Sequence, residues 1–358
     1  MTRPVRARID LEALRHNLQQ VRTAAPRSKV MAIVKANGYG HGLAEVARAL
    51  EHADGFGVAR LEEALALREA GIHKPVVLLE GFLDVRELEA AEHARLELVL
   101  HSDYQLELLE AARPGHPLRV WVKLDTGMHR LGFAPERFGE IRQRLQDLAC
   151  VQQPPACLSH FACADERANP ATEAQRQCFE AALEGQDGER SLANSAGLLG
   201  WPEAAYGWVR PGIMLYGVSP FVDALGAELG LRPVMTLETR LIAVRELHKG
   251  DAIGYGGSWV CPEDMRVGVA AIGYGDGYPR HAAAGTPVLV NGRRVALVGR
   301  VSMDMITLDL RGHEDARVGD RVVLWGEGLP VEDVARAADT IAYELLTGIT
   351  GRVRLEYD

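Results

Sequence analysis

A lysine closing a buried, β-branched run is the residue of this chain best placed for chemistry. Val30-Met31-Ala32-Ile33-Val34-Lys35 leads into Ala36-Asn37-Gly38-Tyr39-Gly40-His41-Gly42, and from Leu43 to Leu50 apolar residues recur at helical spacing. Burial disfavours an ammonium's charge and lowers its pKa, which makes the amine a usable nucleophile or base. Glycines let backbone approach a ligand closely at the mouth of such a site. Two uses fit the segment taken alone. Lys35 anchors a cofactor covalently, or it snorkels to solvent beside a tight turn. Gly38-x-Gly40-x-Gly42 lacks the G-x-G-x-x-G spacing of a dinucleotide turn, and no G-x-x-x-x-G-K-[ST] phosphate loop occurs.

Four further segments bring polar groups to the ends of apolar runs. They are Lys123-Leu124-Asp125-Thr126-Gly127-Met128-His129-Arg130, Ser159-His160-Phe161, Ala193-Asn194-Ser195-Ala196 and Val209-Arg210-Pro211-Gly212-Ile213. Each alone reads as structural; a lone strand-end histidine is ordinarily a hydrogen-bonded core residue. Together with Lys35 they supply an amine, serine and glycine donors for phosphate, and an arginine for a ring acceptor. That set suits an anionic, aromatic, phosphorylated ligand.

The elements that must position these groups alternate. Strand runs are expected at Val30–Lys35, Gly55–Ala59, Pro75–Leu79, Leu96–Leu100, Arg119–Leu124, Ala156–His160, Ser191–Asn194 and Val209–Leu215. Helical patterns lie between them, at Leu61–Ala70, Val85–Ala94, Asp103–Ala112, Phe138–Ala149 and Thr172–Leu183. Eight strand-then-helix units are the count of a (β/α)8 TIM-like barrel, whose strands converge on one mouth where the chemistry sits. A doubly wound sheet uses the same alternation but more often stops at five or six strands. Arg210 sits near the start of its run, and fits the mouth if the eighth strand is short and begins earlier.

Past Arg232-Pro233 the pattern becomes strands without helices between them: Thr236–Val244, Arg266–Ile272, Pro287–Asn291, Arg294–Val301, Met305–Leu310 and Arg321–Trp325. Asn291-Gly292 is a hairpin turn, and helical stretches fall at Val331–Ala338 and around Tyr343–Leu346. We therefore expect an α/β protein with a barrel over 1–232 and a mostly antiparallel β domain over 233–358. The second domain places tyrosines among glycines, in Gly254-Tyr255-Gly256 and Gly273-Tyr274-Gly275-Asp276-Gly277, and carries Gly299-Arg300-Val301-Ser302-Met303-Asp304. Such tyrosines commonly pack hairpin edges. Tyr343-Glu344 opens a short helix whose amides are suited to face an anion.

Bulk properties narrow the partners. The 358 residues are 47% hydrophobic and 25% charged with a net charge of −9, which argues against nucleic acid or an anionic membrane. Met1-Thr2-Arg3-Pro4-Val5-Arg6 leads into no apolar signal stretch, so a cytoplasmic location is expected. Five scattered cysteines without a C-x-x-C pair suggest neither a disulfide framework nor a zinc site; no metal is expected.

Nearly the whole chain resembles the bacterial alanine racemases, fold-type III pyridoxal-phosphate enzymes. The resemblance rests on Val34–Gly42, Lys123–Gly132, Ser159–Glu166, Asn194–Ser195, Val209–Gly217, Gly254–Gly256, Gly273–Arg280, Gly299–Asp304 and Tyr343–Glu344, met in that order. It implies interconversion of L- and D-alanine, for peptidoglycan supply or alanine catabolism. Lys35 would hold pyridoxal 5'-phosphate as a Schiff base and move the Cα proton on the D face; Tyr255 would be the acid/base of the opposite face. His160 would adjoin Tyr255, and Arg210 would bond the pyridine nitrogen. Tyr39, Ser195, Gly212, Ile213 and Tyr343 would bind phosphate, with Asn194 close by. Arg130 and the Met303 backbone would receive the substrate carboxylate, and Lys123, carbamylated in many members, would orient Arg130. Tyr274 and Asp304 would shape the entrance. Tyr255, Tyr274 and Met303 would reach the partner subunit's cofactor in a homodimer with composite sites.

Physical reasons accompany this allocation. Racemisation needs bases on both faces of a planar carbanion, because one base returning its own proton mostly restores the starting hand. An arginine keeps its proton and would leave the ring nitrogen unprotonated, restraining side reactions. A tyrosine, with a pKa of ~10, needs His160 and Arg210 to lower the cost of its phenolate. Two departures stand out. Gly38 replaces the alanine common in the family, a change expected to loosen the turn, and the carboxyl end lacks a frequent proline. A barrel decarboxylase of basic amino acids would use an acidic partner at the ring nitrogen instead of Arg210. A pyridoxal-phosphate carrier would have no β domain.

Overall fold

A computed structural model describes residues 5–112 and 114–358. Met1–Pro4, the start of the amino-terminal stretch read above, lie outside the described residues. The chain opens with strand β1 (Arg6–Ile9) and a helix, Leu11–Ala24, whose first turn is capped by the Asp10 carboxylate accepting from the Ala13 amide at 2.8 Å. Eight parallel strands then close into a barrel. They are β2 (Lys29–Ile33), β3 (Gly55–Val58), β4 (Val76–Leu78), β5 (Glu97–Leu100), β6 (Val120–Lys123), β7 (Ala156–Leu158), β8 (Arg190–Ser191) and β9 (Trp208–Val209). Parallel strands covered by helices are buried on both faces, and β3, β4 and β6 are buried at every position. This is why they read in sequence as continuous apolar runs rather than as alternation.

The barrel strands are shorter than their sequence runs, with consequences for the site. β2 ends at Ile33 and β7 at Leu158, so Lys35 and His160 lie just past the strand ends, on the mouth. β9 stops at Val209, and Arg210 follows it directly. The run drawn to Leu215 instead becomes a 3-10 turn over Ile213–Tyr216, because Pro211 has no amide hydrogen to offer the neighbouring strand. Asn194 is likewise outside its strand. It caps the short helix Ser195–Gly200, its Oδ1 accepting from the Gly197 amide at 2.8 Å.

The remaining strands form an eight-stranded sheet, antiparallel except at one pair. Its order is Met265–Ala270, Ile306–Asp309, Arg293–Val298, Pro287–Val290, Arg321–Trp325, β10 (Met235–Leu247), β1 and Arg354–Tyr357. Asn291 and Gly292 sit at φ 49 and 80, the left-handed pair that a two-residue hairpin turn requires. β1 belongs to this sheet, antiparallel to β10 and parallel to Arg354–Tyr357, although it precedes the barrel in sequence. Glu238 on β10 fastens the arrangement, accepting from Arg6 Nε and from Arg321 Nε at 2.6 Å each. Burial would raise the pKa of its carboxyl, but the two guanidiniums outweigh it and hold the group below the usual range.

Two pieces of the second domain were not read from the sequence. The two-residue strands Ala252–Ile253 and Trp259–Val260 form a small hairpin carrying Tyr255, and the last strand contains only four residues. No described helix is long and apolar enough to cross a membrane.

Candidate active site

A cavity of about 840 Å³ opens at the mouth of the barrel, between the strand ends and the helix Ala342–Thr347 of the second domain. Lys35, Tyr39, Lys123, Arg130, His160, Asn194, Ser195, Arg210, Gly212, Ile213 and Tyr343 all line it. Eleven of the fifteen residues singled out in the sequence therefore share one wall system, drawn from five strand ends and one helix.

The Lys35 segment has unusual backbone. Ala36, Asn37, Gly38 and Tyr39 have φ of 53, 55, 62 and 51, a run of left-handed residues that costs ~1 kcal/mol or more at each non-glycine. Gly38 therefore relieves strain rather than loosening the turn, because the left-handed region is open to it without penalty. The turn is held from within. The Asn37 carbonyl accepts from Gly42 at 2.9 Å, and its side-chain Oδ1 accepts from the Leu43 amide at 3.0 Å, starting the helix Leu43–Ala49. His41 is fully buried, its Nδ1 2.8 Å from the Tyr39 carbonyl and its ring 4.7 Å from that of Tyr216. Burial pushes its pKa down to about 4, so it is a neutral structural group.

This turn aims Tyr39 at Gly212. The Tyr39 ring stacks on Tyr216, centroids 4.6 Å apart, and lies 6.0 Å from that of Tyr343. A Cβ on Gly212 would come within 2.6 Å of the Tyr39 hydroxyl, so the absence of a side chain there makes a cradle floored by backbone and rimmed by a phenol. Ser195 Oγ stands on the same floor, accepting from the amides of Gly212 at 2.9 Å and Met214 at 3.4 Å. Burial raises the pKa of Tyr39 well above that of a free phenol. It also raises Tyr343 to about 12, with the Asp165 charge adding to it, so both hydroxyls remain hydrogen-bond donors.

Positive charge dominates the other side. Arg210 is buried, donating from Nη1 to Ser191 Oγ at 2.7 Å and from Nη2 to the carbonyls of Ser159 at 2.5 Å and Leu192 at 3.3 Å. His160 Nδ1 lies 3.3 Å from Arg210 Nη2. A guanidinium only donates, so Nδ1 is the acceptor and the neutral imidazole carries its proton on Nε2. Burial, then the charges of Arg210, Lys123, Arg130 and Lys35, hold the His160 pKa well below its ordinary value. Burial and the neighbouring charges of Arg130, Arg210 and Lys35 push Lys123 down to about 8, with Asp125 opposing weakly. Asp125 is occupied with its own loop, accepting from the amides of Gly127 and Met128 at 3.1 Å and His129 at 2.9 Å. The cavity thus gathers Lys35, Lys123, Arg130 and Arg210 on this side, while the carboxylates of Glu80, Asp165 and Glu332 lie elsewhere in its lining.

Tyr255, Tyr274, Met303 and Asp304 are not brought to this cavity within the chain. They form a cluster of their own. The Tyr274 amide donates to Ser302 O at 3.1 Å and Gly275 to Met303 O at 2.9 Å, while a Cβ on Gly256 would lie 3.4 Å from the Arg300 guanidinium. Arg352 ties the group together, 3.2 Å from Asp276 and 2.6 Å from Asp304. Tyr255 is 67% exposed, Met303 51% and Tyr274 40%. These exposed apolar and aromatic side chains thus lie on loops that adjoin one another.

Sequence reasoning assigned no role to Tyr216, which supports Tyr39 from behind and bonds the Ile33 carbonyl at 3.0 Å. Nor did it single out Glu63, whose carboxylate accepts from the amide after Lys35 at 2.6 Å. A glutamate in the first turn of a helix reads as an ordinary cap, and only the fold shows the second strand it reaches.

Barrel, sheet and cavity together define a protein whose ligand site lies at a barrel mouth closed over by a second, largely antiparallel unit. Residues 9–220 match the family description "Alanine racemase, N-terminal domain" and residues 234–357 match "Alanine racemase, C-terminal domain". The chain is 59% identical over 345 residues to an alanine racemase of Nitrosococcus oceani, covering 96% of this chain and 97% of that one. It is 54% identical over 351 residues to one of Vibrio cholerae, covering 98% and 97%. The crystal structure of a biosynthetic alanine racemase from Pseudomonas aeruginosa superposes with a TM-score of 0.97 at 49% identity, covering 100% of both chains. The chain belongs to the alanine racemase family and is an isomerase.

Proposed function

We propose that this isomerase interconverts L- and D-alanine with pyridoxal 5'-phosphate, using Lys35 and Tyr255 as bases on opposite faces, in a homodimer whose sites are shared between subunits. The cradle at Gly212 carries the cofactor part of this reading. It offers a floor without a side chain, hydroxyls from Tyr39, Ser195 and Tyr343, and net positive surroundings, which suit a phosphate. Pyridoxal phosphate, when bound, supplies the electron sink that lets the Cα–H of an amino acid ionise.

The chain's own residues then divide the work. Lys35 Nζ would hold the cofactor and, as a free amine, would take or return the proton on one face. Arg210, its terminal nitrogens engaged with Ser191, Ser159 and Leu192, would donate one of its remaining N–H groups to a ring nitrogen, and a guanidinium will not surrender its proton there. Arg130 takes the substrate carboxylate. Lys123, at a pKa of about 8, is in part a free amine at neutral pH. That amine can add carbon dioxide, losing a proton to become an anionic carbamate, and this exchanges repulsion of Arg130 for attraction.

Tyr255 supplies the opposite base from the partner subunit. Its exposure beside Tyr274 and Met303, away from its own chain's cavity, supports this. Facing the partner's His160, it would accept the Nε2 hydrogen, and the buried Arg210 charge behind that imidazole would lower the cost of a phenolate.

Complementation tests the shared site. Lys35→Ala and Tyr255→Phe should each be inactive, and equal mixing after reversible dissociation should restore about a quarter of wild-type activity, since half the dimers are mixed and each holds one intact site. No recovery in mixtures proven to hold mixed dimers would refute shared sites. Reductive trapping with borohydride and mass analysis should place the pyridoxyl label on Lys35; a label elsewhere would refute the anchor. Cytoplasmic location, and a role in either peptidoglycan supply or alanine catabolism, are part of the same proposal, which family membership supports.

A further inference from the structure

We propose that Glu63 is a positioning residue that sets the direction of the Lys35 side chain by gripping the peptide bond that follows it. This rests on the reading of Lys35 as the cofactor anchor. Glu63 is half-buried in the first turn of the helix Leu61–Glu69, which follows β3. Its Oε2 accepts from the amides of Ala59 at 3.0 Å and Arg60 at 3.3 Å, an arrangement that caps its own helix. Its Oε1 turns away and accepts from the Ala36 amide at 2.6 Å, on the neighbouring strand end 27 residues earlier. Helix capping does not require that second bond.

The Ala36 amide belongs to the peptide unit that begins with the Lys35 carbonyl. Holding that unit fixes ψ of Lys35, and with it the direction of the Cα–Cβ bond that carries the amine. The need is local. The four residues after Lys35 have positive φ, and β2 has already ended at Ile33, so the sheet ladder does not hold this peptide. A short charge-assisted bond from the adjacent strand end replaces the ladder. A carboxylate is suited to this because both of its oxygens accept. A glutamine offers one acceptor and would turn an N–H toward either Ala36 or the helix cap.

The test compares wild type, Glu63→Ala and Glu63→Gln with Glu62→Gly, a control that weakens the same helix from an exposed position. Two quantities are measured on each folded protein: hydrogen exchange of the segment 34–38 without cofactor, and the concentration of pyridoxal phosphate needed for half-maximal borohydride labelling of Lys35. Glu63→Ala should speed exchange at 34–38 and raise the half-labelling concentration about tenfold, the scale of one lost charge-assisted bond, with Glu63→Gln between it and wild type. Glu62→Gly should lower thermal stability and leave both readouts as in wild type. If Glu63→Ala leaves both unchanged, or if Glu62→Gly moves them equally, the positioning role is overturned. If Glu63→Ala does not fold, Glu63→Gln decides on the same criteria. Failure of wild type to label at Lys35 overturns the anchor instead, and the exchange measurement alone then decides whether Glu63 holds the Ala36 peptide.

Discussion

Lys123 should make the empty protein less stable, and by an amount that can be worked out. Its pKa falls from 10.5 in the unfolded chain to about 8 in the folded one, because it is buried beside Arg130, Arg210 and Lys35. At ~1.4 kcal/mol per unit of pKa, the charged form costs the folded state on the order of 3 kcal/mol. Below pH 8 both states hold the proton and the full cost applies. Between pH 8 and 10.5 the folded state releases the proton first, and the cost shrinks. Above 10.5 both states are neutral and it vanishes. Lys123→Met keeps the length and removes the charge. In cofactor-free protein at pH 7, with carbon dioxide and phosphate excluded, it should be more stable than wild type by ~3 kcal/mol, or about 4 °C in Tm for a chain of this length. The gain should fade as pH rises toward 10.5. Added bicarbonate should stabilise wild type alone, because only a free amine can become a carbamate. Scanning calorimetry at stepped pH measures each of these. A wild type as stable as Lys123→Met at pH 7, or a gain that does not fade with pH, would refute the reasoning. The variant should also lose racemase activity, since Arg130 would lose its partner.

Three other outcomes follow from the same geometry. Tyr255→Phe should slow deuterium exchange into L-alanine by ~10²–10⁴-fold, the worth of a general base, while exchange into D-alanine falls much less; equal slowing for both hands would contradict opposite-face bases. Arg210→Glu should raise pyruvate formed per racemisation event and also lower Tm, because the Ser159 and Leu192 carbonyls lose their donor; an unchanged product ratio would dispose of the arginine's role in restraining side reactions. Two alanine scans of glycine should separate cleanly. Gly212→Ala brings a Cβ to 2.6 Å from the Tyr39 hydroxyl and 3.3 Å from its ring, and should weaken cofactor retention more than it lowers Tm, whereas Gly40→Ala, at φ 82, places a Cβ 2.1 Å from the Leu346 carbonyl and should unfold the turn; reversal of that order by calorimetry and equilibrium dialysis would count against both assignments.

The barrel was legible because its strands are buried on both faces, which forces continuous apolar runs, and the polar residues that end them had to meet at one mouth. Arg210 was located correctly once the short β9 put it directly after its strand. The first strand was not legible. Four residues at Arg6–Ile9 carry no turn signal linking them to a partner more than two hundred residues away, and the pairing with β10 depends on Glu238 bridging Arg6 and Arg321. Ile213–Tyr216 was drawn as strand because its apolar run cannot reveal that Pro211 has ended the ladder. Polar side chains at the strand ends could be singled out from the sequence and line the cavity, and the residues that support them could not. Glu63 and Tyr216 resemble any helix cap and any core aromatic until the fold supplies what they touch. The left-handed path after Lys35 was also hidden, since only Gly38 and Gly40 among its residues advertise positive φ.

The position of β1 bears on how the molecule is made. During synthesis it emerges before the barrel, yet both neighbours that satisfy its backbone, β10 and Arg354–Tyr357, emerge after the entire barrel. At ~5–20 residues per second the ribosome takes on the order of 10–50 s to travel from Ile9 to Met235, and β1 spends that interval unpaired at the barrel's flank. Completion of the sheet domain therefore follows that of the barrel, and the turn after Lys35, pressed by Tyr357 at Gly42, reaches its final shape only then. Pulse-labelled nascent chains stalled once the barrel has emerged, but before β10 has, should remain protease-sensitive at Arg6–Ile9 while the barrel is already resistant.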